Sequence, residues 1–429
     1  MDVSIIGTGY VGLSTGVGFA VRGNNVICVD IDGQKVGQIN KGISPIYEPL
    51  LDDYLKRVLQ EKKLIATTDL KEAISKTTVS FISVGTPPRN DGSMDLKYVS
   101  EVSRQIGEAL KKKGYHVVVV KSTVVPGTTE DIVLKNLEKF SGKKTGKGFG
   151  LCMNPEFLRE GKAMEDFLKP DRIVIGESDG KAGDVVERLY KNFSAPVLRT
   201  SIKTAEMIKY ASNAFLATKI SYVNEMGNIC KRLGIDVNEV MKGVGMDNRI
   251  SPHFLNAGCG YGGSCFPKDV EALVHRAKEL GYEPQLLEEV QELNKRQKLR
   301  LVEQLEKKIG GVKNKTVCVL GLAFKPDSDD IREASSIAII SRLLEKGAKI
   351  RAYDPKASGH MKKLFPQIEY AKSAQDAIAG SDACLVVTDW NEFKRLSDED
   401  FSKMRNKVIL EGRKILDRGR VSDFDGICW

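Results

Sequence analysis

The chain has no CxxC pair and only four histidines, scattered through 429 residues. Tetrahedral zinc sites draw on clustered Cys and His, so no metal centre is expected. No apolar run approaches the roughly 20 residues that a membrane helix requires. The opening MDVSIIGTGYVG lacks a basic n-region and a small-residue cleavage site, so it does not read as a signal peptide, and a cytoplasmic protein is expected. Low-complexity segments and long linkers are missing too. The net charge of +9 comes from 66 basic and 57 acidic residues. The lysines are spread out, with short runs at 62–63 and 111–113 and in the loop 141–148, and solvated faces account for them. There is neither a basic stripe nor a nucleic-acid-binding module, so nucleic acid and membrane are not expected partners. A mildly positive surface does suit an anionic ligand such as a nucleotide.

What is present reads as an ordinary globular composition, 41% hydrophobic and 29% charged. The length exceeds what one core supports, so two or three domains are expected. Short β-rich runs at Val3–Ile6, Asn25–Asp30, Leu64–Thr67, Val79–Val84, His116–Lys121, Gly150–Met153, Arg172–Gly176 and Val197–Thr200 alternate with helical patterns. That alternation predicts an α/β, doubly wound parallel sheet over residues 1–200. From Thr204 to Leu233 the stripe Ala205, Ile208, Ala211, Phe215, Ile220, Val223, Met226 and Cys230 predicts one helix about 45 Å long. Such a helix would be a spine with spare apolar surface for a partner subunit. A second helical stretch is read over Val270–Ile309, within a central helical segment 201–300. Strands at Thr316–Gly321, Lys349–Asp354, Ile368–Ala371, Ala383–Thr388 and Lys407–Leu410 then predict a second Rossmann-like domain over 301–429.

Gly7-Thr8-Gly9-Tyr10-Val11-Gly12 fits GxGxxG. Alone that pattern is weak, but here it follows a strand and precedes a helical run. Gly7 allows the tight turn, Gly9 lets backbone approach a pyrophosphate, and Gly12 lets the helix pack on the strand, its N-terminus facing the phosphates. Asp30, 18 residues past Gly12, is placed to bind an adenosine ribose. Its carboxylate repels a 2′-phosphate and favours NAD over NADP, whereas Lys35 argues the other way.

Ligands in open α/β sheets sit at the carboxyl ends of strands. Thr86 in Gly85-Thr86-Pro87-Pro88, Thr123 in Ser122-Thr123, and Glu156 in Asn154-Pro155-Glu156 each end a predicted strand. Thr and Pro can also merely terminate strands, and Asn-Pro can make a turn. Lys209 and Asn213 are four residues apart, so they share a helix face, wet or pocket-facing. Cys28, Cys152, Cys318 and Cys384 fall in apolar runs and read as core. Cys265 differs. It sits in Gly262-Gly263-Ser264-Cys265-Phe266-Pro267-Lys268-Asp269, among glycines that let backbone approach a ligand and beside Lys268, which favours a thiolate. A nicotinamide site removes hydride, and a cysteine beside it could hold an aldehyde for a second removal. The pair therefore reads as a four-electron dehydrogenase taking an alcohol to an acid, against an inert structural thiol.

With the motifs GTGYVGL, VGTP, KSTVVPGTT, NPEFLREG, KYASNAFLATKIS, GYGGSCFPKD, GLAFKPDSDDIREASS and YDP together, nearly the whole chain resembles the UDP-glucose 6-dehydrogenases, within the wider nucleotide-sugar dehydrogenase superfamily. The resemblance implies two Rossmann-like domains joined by a long central helix that forms a homodimer core, the second domain carrying UDP. It implies that Cys265 is the nucleophile, that Lys209 and Asn213 stabilise negative oxygen at the sugar C6, and that Asp269 orders water or relays protons. Glu156 would be the base of thioester hydrolysis and Thr123 would hold a water. Thr86, Glu160 and Arg332 match cofactor contacts, with Lys268 beside them. Phe157, Leu158, Tyr261, Gly262, Phe266, Lys325 and Arg413 match substrate contacts, and Arg249 an arginine reaching the neighbouring subunit's substrate. Asn256 stands where some members carry lysine, and Cys259 is an extra thiol without an assigned role. Lys325, Arg332 and Arg413 also lie near predicted strand ends, where cations can hold a diphosphate. Gly321-Leu322-Ala323 lacks a full GxGxxG, so a second dinucleotide is not implied.

The implied reaction oxidises UDP-glucose to UDP-glucuronate with two NAD through a thiohemiacetal and a thioester on Cys265. The same chemistry on UDP-N-acetylmannosamine or GDP-mannose is one alternative. Others are a two-electron hydroxy-acid or phosphogluconate-type dehydrogenase, which leaves Cys265 idle, and a non-catalytic nucleotide-binding regulator.

Overall fold

A computed structural model describes all 429 residues. The chain divides into two compact units, Met1–Ser212 and Asn213–Trp429, and the expected central segment 201–300 is shared between them.

The first unit is built on eight strands: β1 (Asp2–Ile6), β2 (Asn25–Val29), β3 (Leu64–Thr67), β4 (Val79–Ile82), β5 (Val117–Val120), β6 (Gly150–Met153), β7 (Ile173–Glu177) and β8 (Val197–Thr200). They form one sheet in the order β3-β2-β1-β4-β5-β6-β7-β8. Every expected strand is there, some trimmed at the ends. The Val117–Val120 run shows why. Val117 and Val119 join the core on one face, Val118 and Val120 the core on the other. A β-branched residue suits each position, and each fully buried valine contributes about 1.5–3 kcal/mol relative to exposure. Strands β1 to β6 pair in parallel. One junction departs from that pattern: β7 meets β6 antiparallel, through Cys152↔Glu177 and Met153↔Gly176, and β8 then runs parallel to β7. Residues 154–172 carry only one short helix, Ala163–Leu168, and do not return the chain across the sheet before β7 begins.

The long helix spans Ile202–Leu233, 32 residues, and so runs about 48 Å. No proline interrupts it, and Gly234, at φ +70°, follows its end. Met207, Phe215, Tyr222, Ile229 and Leu233 lie exposed along it.

In the second unit an unforeseen helix, Val237–Gly245, is capped by the Asp236 carboxylate on Asn238 N–H. The single helical stretch expected over Val270–Ile309 is two helices, Phe266–Glu279 and Gln285–Ile309. Gly281 takes φ +77°, and Pro284 directly precedes the second helix, so neither continues the first. The earlier start matters as well, because Cys265 becomes the residue capping the first helix rather than a mid-loop residue. The second sheet has β9 (Thr316–Leu320), β10 (Lys349–Tyr353), β11 (Glu369–Tyr370), β12 (Ala383–Val386), β13 (Ile409–Glu411) and an unforeseen β14 (Asp425–Gly426). Its order is β11-β10-β9-β12-β13-β14, parallel throughout. Leu301 and Leu305 pack with this sheet's buried residues and with Ile339 and Ile340. In each sheet the strand order reverses once, between β1 and β4 and between β9 and β12, and crevices for ligands open at such points. No helix is long and apolar enough to cross a membrane.

Candidate active site

In the first unit the glycine turn lies at the carboxyl end of β1. Gly7 takes φ +98°, its N–H donates to Val29 O at 2.8 Å, and a Cβ there would stand 2.6 Å from Ser83 O. A Cβ at Gly12 would overlap the Gly7 carbonyl oxygen. Gly9 caps helix Tyr10–Val21, and a Cβ on it would meet nothing within 4 Å, which leaves space over the helix N-terminus. Tyr10 and Val11 open that helix. Asp30 closes the turn by accepting from Thr8 N at 2.9 Å and Thr8 Oγ1 at 2.5 Å. Partial burial would raise its pKa, but bonds from Thr8 and Asp32 N–H, with the charge of Lys35, hold it below the ordinary value. Lys35 thus serves here as a counter-charge to Asp30. The turn, the open helix end and an ionised acid fit the pyrophosphate and ribose of NAD.

Thr86, after β4, donates its hydroxyl to Thr123 O at 2.9 Å, so the polar ends of β4 and β5 are joined. After β6, Glu156 is buried and pairs with Lys209 of the long helix at 2.8 Å, each side chain under 5% exposed. Its other oxygen accepts from Leu158 N at 2.6 Å. Burial pushes the Glu156 pKa up. Lys209, the Leu158 N–H and Lys121 outweigh that and keep it below the usual carboxylate range. The Lys209 ammonium also stands 5.6 Å over the Phe157 ring, which Arg172 covers at 3.8 Å. Glu160 lies in the adjoining loop, where Gly161 and Ala163 N–H groups both donate to the buried Glu48 carboxylate at 2.7 Å. Glu206, one helical turn before Lys209, accepts from Gly127 N and Thr129 N at 2.6 and 2.8 Å, tying the segment after β5 to the long helix.

In the second unit Asn213 donates to Asp269 at 2.7 Å, and Lys268 pairs with the other Asp269 oxygen at 2.6 Å. Both Asn213 and Asp269 are buried. Cys265 caps helix Phe266–Glu279, half-buried, with Ser264 Oγ at 3.6 Å. The other seven cysteines are buried, and Cys259 is pushed up to about 11 by burial, with Arg413 pulling the other way. The loop before Cys265 is held at many points. Gly258 N donates to Asn224 and its carbonyl accepts from Gln297, each at 2.8 Å. Asn294 bonds both Tyr261 N and Tyr261 O, at 2.8 and 3.1 Å. Gly263 N donates to Arg332 O, and the Arg413 guanidinium to Gly260 O, each at 2.8 Å. Gly260 takes φ +84°, and a Cβ there would stand 2.5 Å from Asn294 Oδ1. A Cβ at Gly262 would overlap Glu333 O. The rings of Tyr261 and Phe266 meet edge-on at 6.1 Å.

Arg332 forks onto Asp330, with its closest contact at 2.7 Å, and Lys325 lies 5.3 Å over Phe324, whose ring would crowd a Cβ at Gly263. Two of the expected site residues are solvent-exposed. Arg249 is 88% exposed at its side chain and paired with its own neighbour Asp247, and Asn256 is exposed between buried Leu255 and Ala257. Sequence reasoning passed over Lys121, Glu206, Asn224, Asn294 and Gln297. For the last two a signal existed. Val290, Asn294, Gln297, Leu301 and Leu305 form the buried stripe of one helix, and two amides at core positions of such a stripe call for partners.

Models of the UDP-glucose/GDP-mannose dehydrogenase family match its NAD binding domain over residues 1–194, its central domain over 203–296 and its UDP binding domain over 318–418. The chain is 45% identical to a UDP-glucose 6-dehydrogenase of Haloferax volcanii, with 100% of both chains covered. It is 44% identical to a UDP-glucose 6-dehydrogenase of Bacillus subtilis, over 96% of this chain and 89% of that one. Among solved structures, a UDP-glucose dehydrogenase from Pyrobaculum islandicum superposes with TM-score 0.94 at 40% identity, covering 100% of this chain and 97% of the other. A UDP-D-ManNAc dehydrogenase from Pyrococcus horikoshii gives TM-score 0.88 at 29% identity, covering 100% and 99%.

Proposed function

The chain belongs to the UDP-glucose/GDP-mannose dehydrogenase family, and from that premise we propose that it oxidises the C6 alcohol of UDP-glucose to UDP-glucuronate in two steps on one bound sugar. It is an NAD-dependent enzyme, and bound NAD supplies a hydride acceptor, used twice per product. The observation that carries the reading is Cys265. It alone among eight cysteines is not buried, and it caps a 14-residue helix whose positive end favours negative charge on sulfur.

The residues then divide the work. The first oxidation takes a hydride from C6 and passes the hydroxyl proton to water by way of Asp269, leaving an aldehyde, and the Cys265 thiolate adds to its carbon to form a thiohemiacetal. Loss of the second hydride converts that adduct to a thioester. Lys209 and Asn213, four apart on the long helix, donate hydrogen bonds where oxygen turns negative, and such donors are each worth about 3 kcal/mol. Water's oxygen bonds to the thioester carbon and the carbon–sulfur bond breaks. Glu156, ionised in its buried pair, takes the first proton, with Thr123 placing the water and Asp269 relaying protons. Gly7, Gly9, Gly12, Asp30, Thr86, Glu160, Lys268 and Arg332 serve the cofactor. Phe157, Leu158, Tyr261, Gly262, Phe266, Lys325 and Arg413 serve the UDP-sugar. The exposed apolar stripe of the long helix supports a homodimer, with the exposed Arg249 reaching the neighbouring subunit's substrate.

The test is a screen of UDP-glucose, UDP-N-acetylmannosamine and GDP-mannose with NAD, counting NADH per product. Two NADH from UDP-glucose is the expected result. One NADH per product would put the two-electron alternative in its place, and turnover confined to another sugar would reassign the substrate. Cys265→Ser should abolish acid formation, and a serine variant at the wild-type rate would overturn the covalent scheme.

A further inference from the structure

Lys121 directly follows the valine strand β5, and its ammonium is buried. It donates to Asn154 Oδ1 at 3.1 Å and to Asn154 O at 3.4 Å. Asn154 is itself fixed. Its amide donates to Val174 O at 2.8 Å, and its Oδ1 also accepts from Tyr190 at 2.6 Å. Two residues on, the same backbone delivers Glu156 to Lys209. Glu156 thus pairs directly with Lys209, while the buried Lys121 ammonium, held on Asn154 two residues earlier in the chain, acts on it through space. Hydrogen bonding to Asn154 needs no charge, and a buried lysine is an expensive way to supply it.

We propose that Lys121 is a positioning residue that keeps Glu156 ionised while Lys209 gives its hydrogen bonds to the reacting oxygen. The inference rests on the reaction proposed above, in which Lys209 and Glu156 act in one sequence. In the resting structure Lys209 is the stronger of the two cations holding Glu156 charged. Each hydrogen bond that Lys209 turns toward an oxyanion weakens that hold, and a buried carboxylate left to itself takes up a proton and ceases to be a base. A second cation outside the reaction prevents this. The groups facing Glu156 are Lys209, Lys121 and the Leu158 N–H. Those facing Lys121 are Glu156, Lys209, Asn154 and Tyr190, whose phenol burial keeps neutral. Burial, with Lys209 adding repulsion, brings the Lys121 pKa down to about 8 against the pull of Glu156, so the ammonium is present at neutral pH and below.

The test compares Lys121→Met and Lys121→Gln in the full-length enzyme. Glutamine can still donate to Asn154 Oδ1 but carries no charge. Removing a cation beside a carboxylate raises the carboxyl pKa, so the acid limb of the kcat profile should move to higher pH by about one unit or more in both variants. At the alkaline plateau kcat should stay within about threefold of wild type. An acid limb that moves in Lys121→Met but not in Lys121→Gln would make the role hydrogen bonding alone, and a limb unmoved in both would end the proposal. If neither variant folds, Lys121 is a structural residue and the proposal fails as well. Wild-type turnover of UDP-glucose, measured alongside, separates these outcomes from a failure of the functional reading itself.

Discussion

Replacing Lys209 by methionine tests whether the buried pair with Glu156 is an electrostatic unit. The side chains meet at 2.8 Å and are 3% and 4% exposed, so water screens little of the interaction. Methionine keeps most of the volume, which limits any cavity cost. What remains is a carboxylate in a dry site with Lys121 and the Leu158 N–H as its support. Removing one partner of a buried pair costs about 3–5 kcal/mol, and the remaining cation puts the expected value near the lower figure. The first unit spans Met1–Ser212, a size at which 1 kcal/mol moves Tm by roughly 2–4 °C. Its transition should therefore fall by about 6–12 °C at pH 7. The pH dependence fixes the cause. In the wild type the Glu156 pKa is depressed, so its ionisation stabilises the fold above the ordinary carboxylate value, and that contribution is lost as pH falls through the folded value. Without Lys209 only Lys121 and the Leu158 N–H oppose burial, so the pKa rises above its wild-type value while Lys121 keeps the carboxyl ionised at neutral pH. The penalty is then full at neutral pH and recedes as acid protonates the carboxyl. Calorimetry at pH 7 and pH 5 should show the deficit shrinking with acid. Adding Glu156→Gln to the variant should restore much of the loss, since the unpaired carboxylate is gone and Lys121 keeps its hydrogen bonds to Asn154. A deficit equal at both pH values, or a double variant no better than the sum of the singles, would refute the electrostatic account.

Asn294→Ala should loosen the loop that carries the thiol. It strips partners from Tyr261 N and Tyr261 O, each worth about 1–3 kcal/mol when left unpaired, and iodoacetamide should label Cys265 faster while kcat falls at least tenfold. Unchanged labelling and turnover would show that the pinning is idle. Phe215→Asp with Tyr222→Asp should yield monomers by light scattering, because both rings are exposed on one face of the long helix. A wild-type mass of one chain, or a variant that stays dimeric, would count against the proposed homodimer.

Much of the fold was legible because it is written locally. Val117–Val120 can be little other than a strand covered on both faces, and the stripe from Ala205 to Cys230 marks one uninterrupted helix. Where the reading slipped, local signals were passed over or absent. Gly281 and Pro284 announce a break that the apolar spacing of 270–309 conceals. The reversed sense of β7 leaves no trace in composition, since a strand's direction is set by its pairing. For the site, the fingerprint and the cysteine loop were visible as motifs. Partnerships were not, because Asn213 finds Asp269 across 56 residues and Lys121 finds Asn154 across 33. Lys121 itself looked like the polar end of a strand rather than a charge enclosed by one.

The two sheets repeat a construction with one altered part. At each switch point a positive-φ glycine turns against the neighbouring strand end, Gly7 against Ser83 and Gly321 against Thr388, and an aspartate after the second strand accepts from the turn. Asp30 is only part-buried and accepts three hydrogen bonds in all, two from Thr8 in the turn and one from Asp32 N. Asp354 is buried and takes five, from Leu322 N, Ala323 N, Lys356 N, Ala357 N and the Trp390 indole. A carboxylate so fully subscribed has no lone pair to offer a sugar diol. Duplicated architecture therefore need not mean duplicated recognition: the copy in the second sheet has turned its acid into a structural rivet, and a nucleotide bound there must be read through other groups.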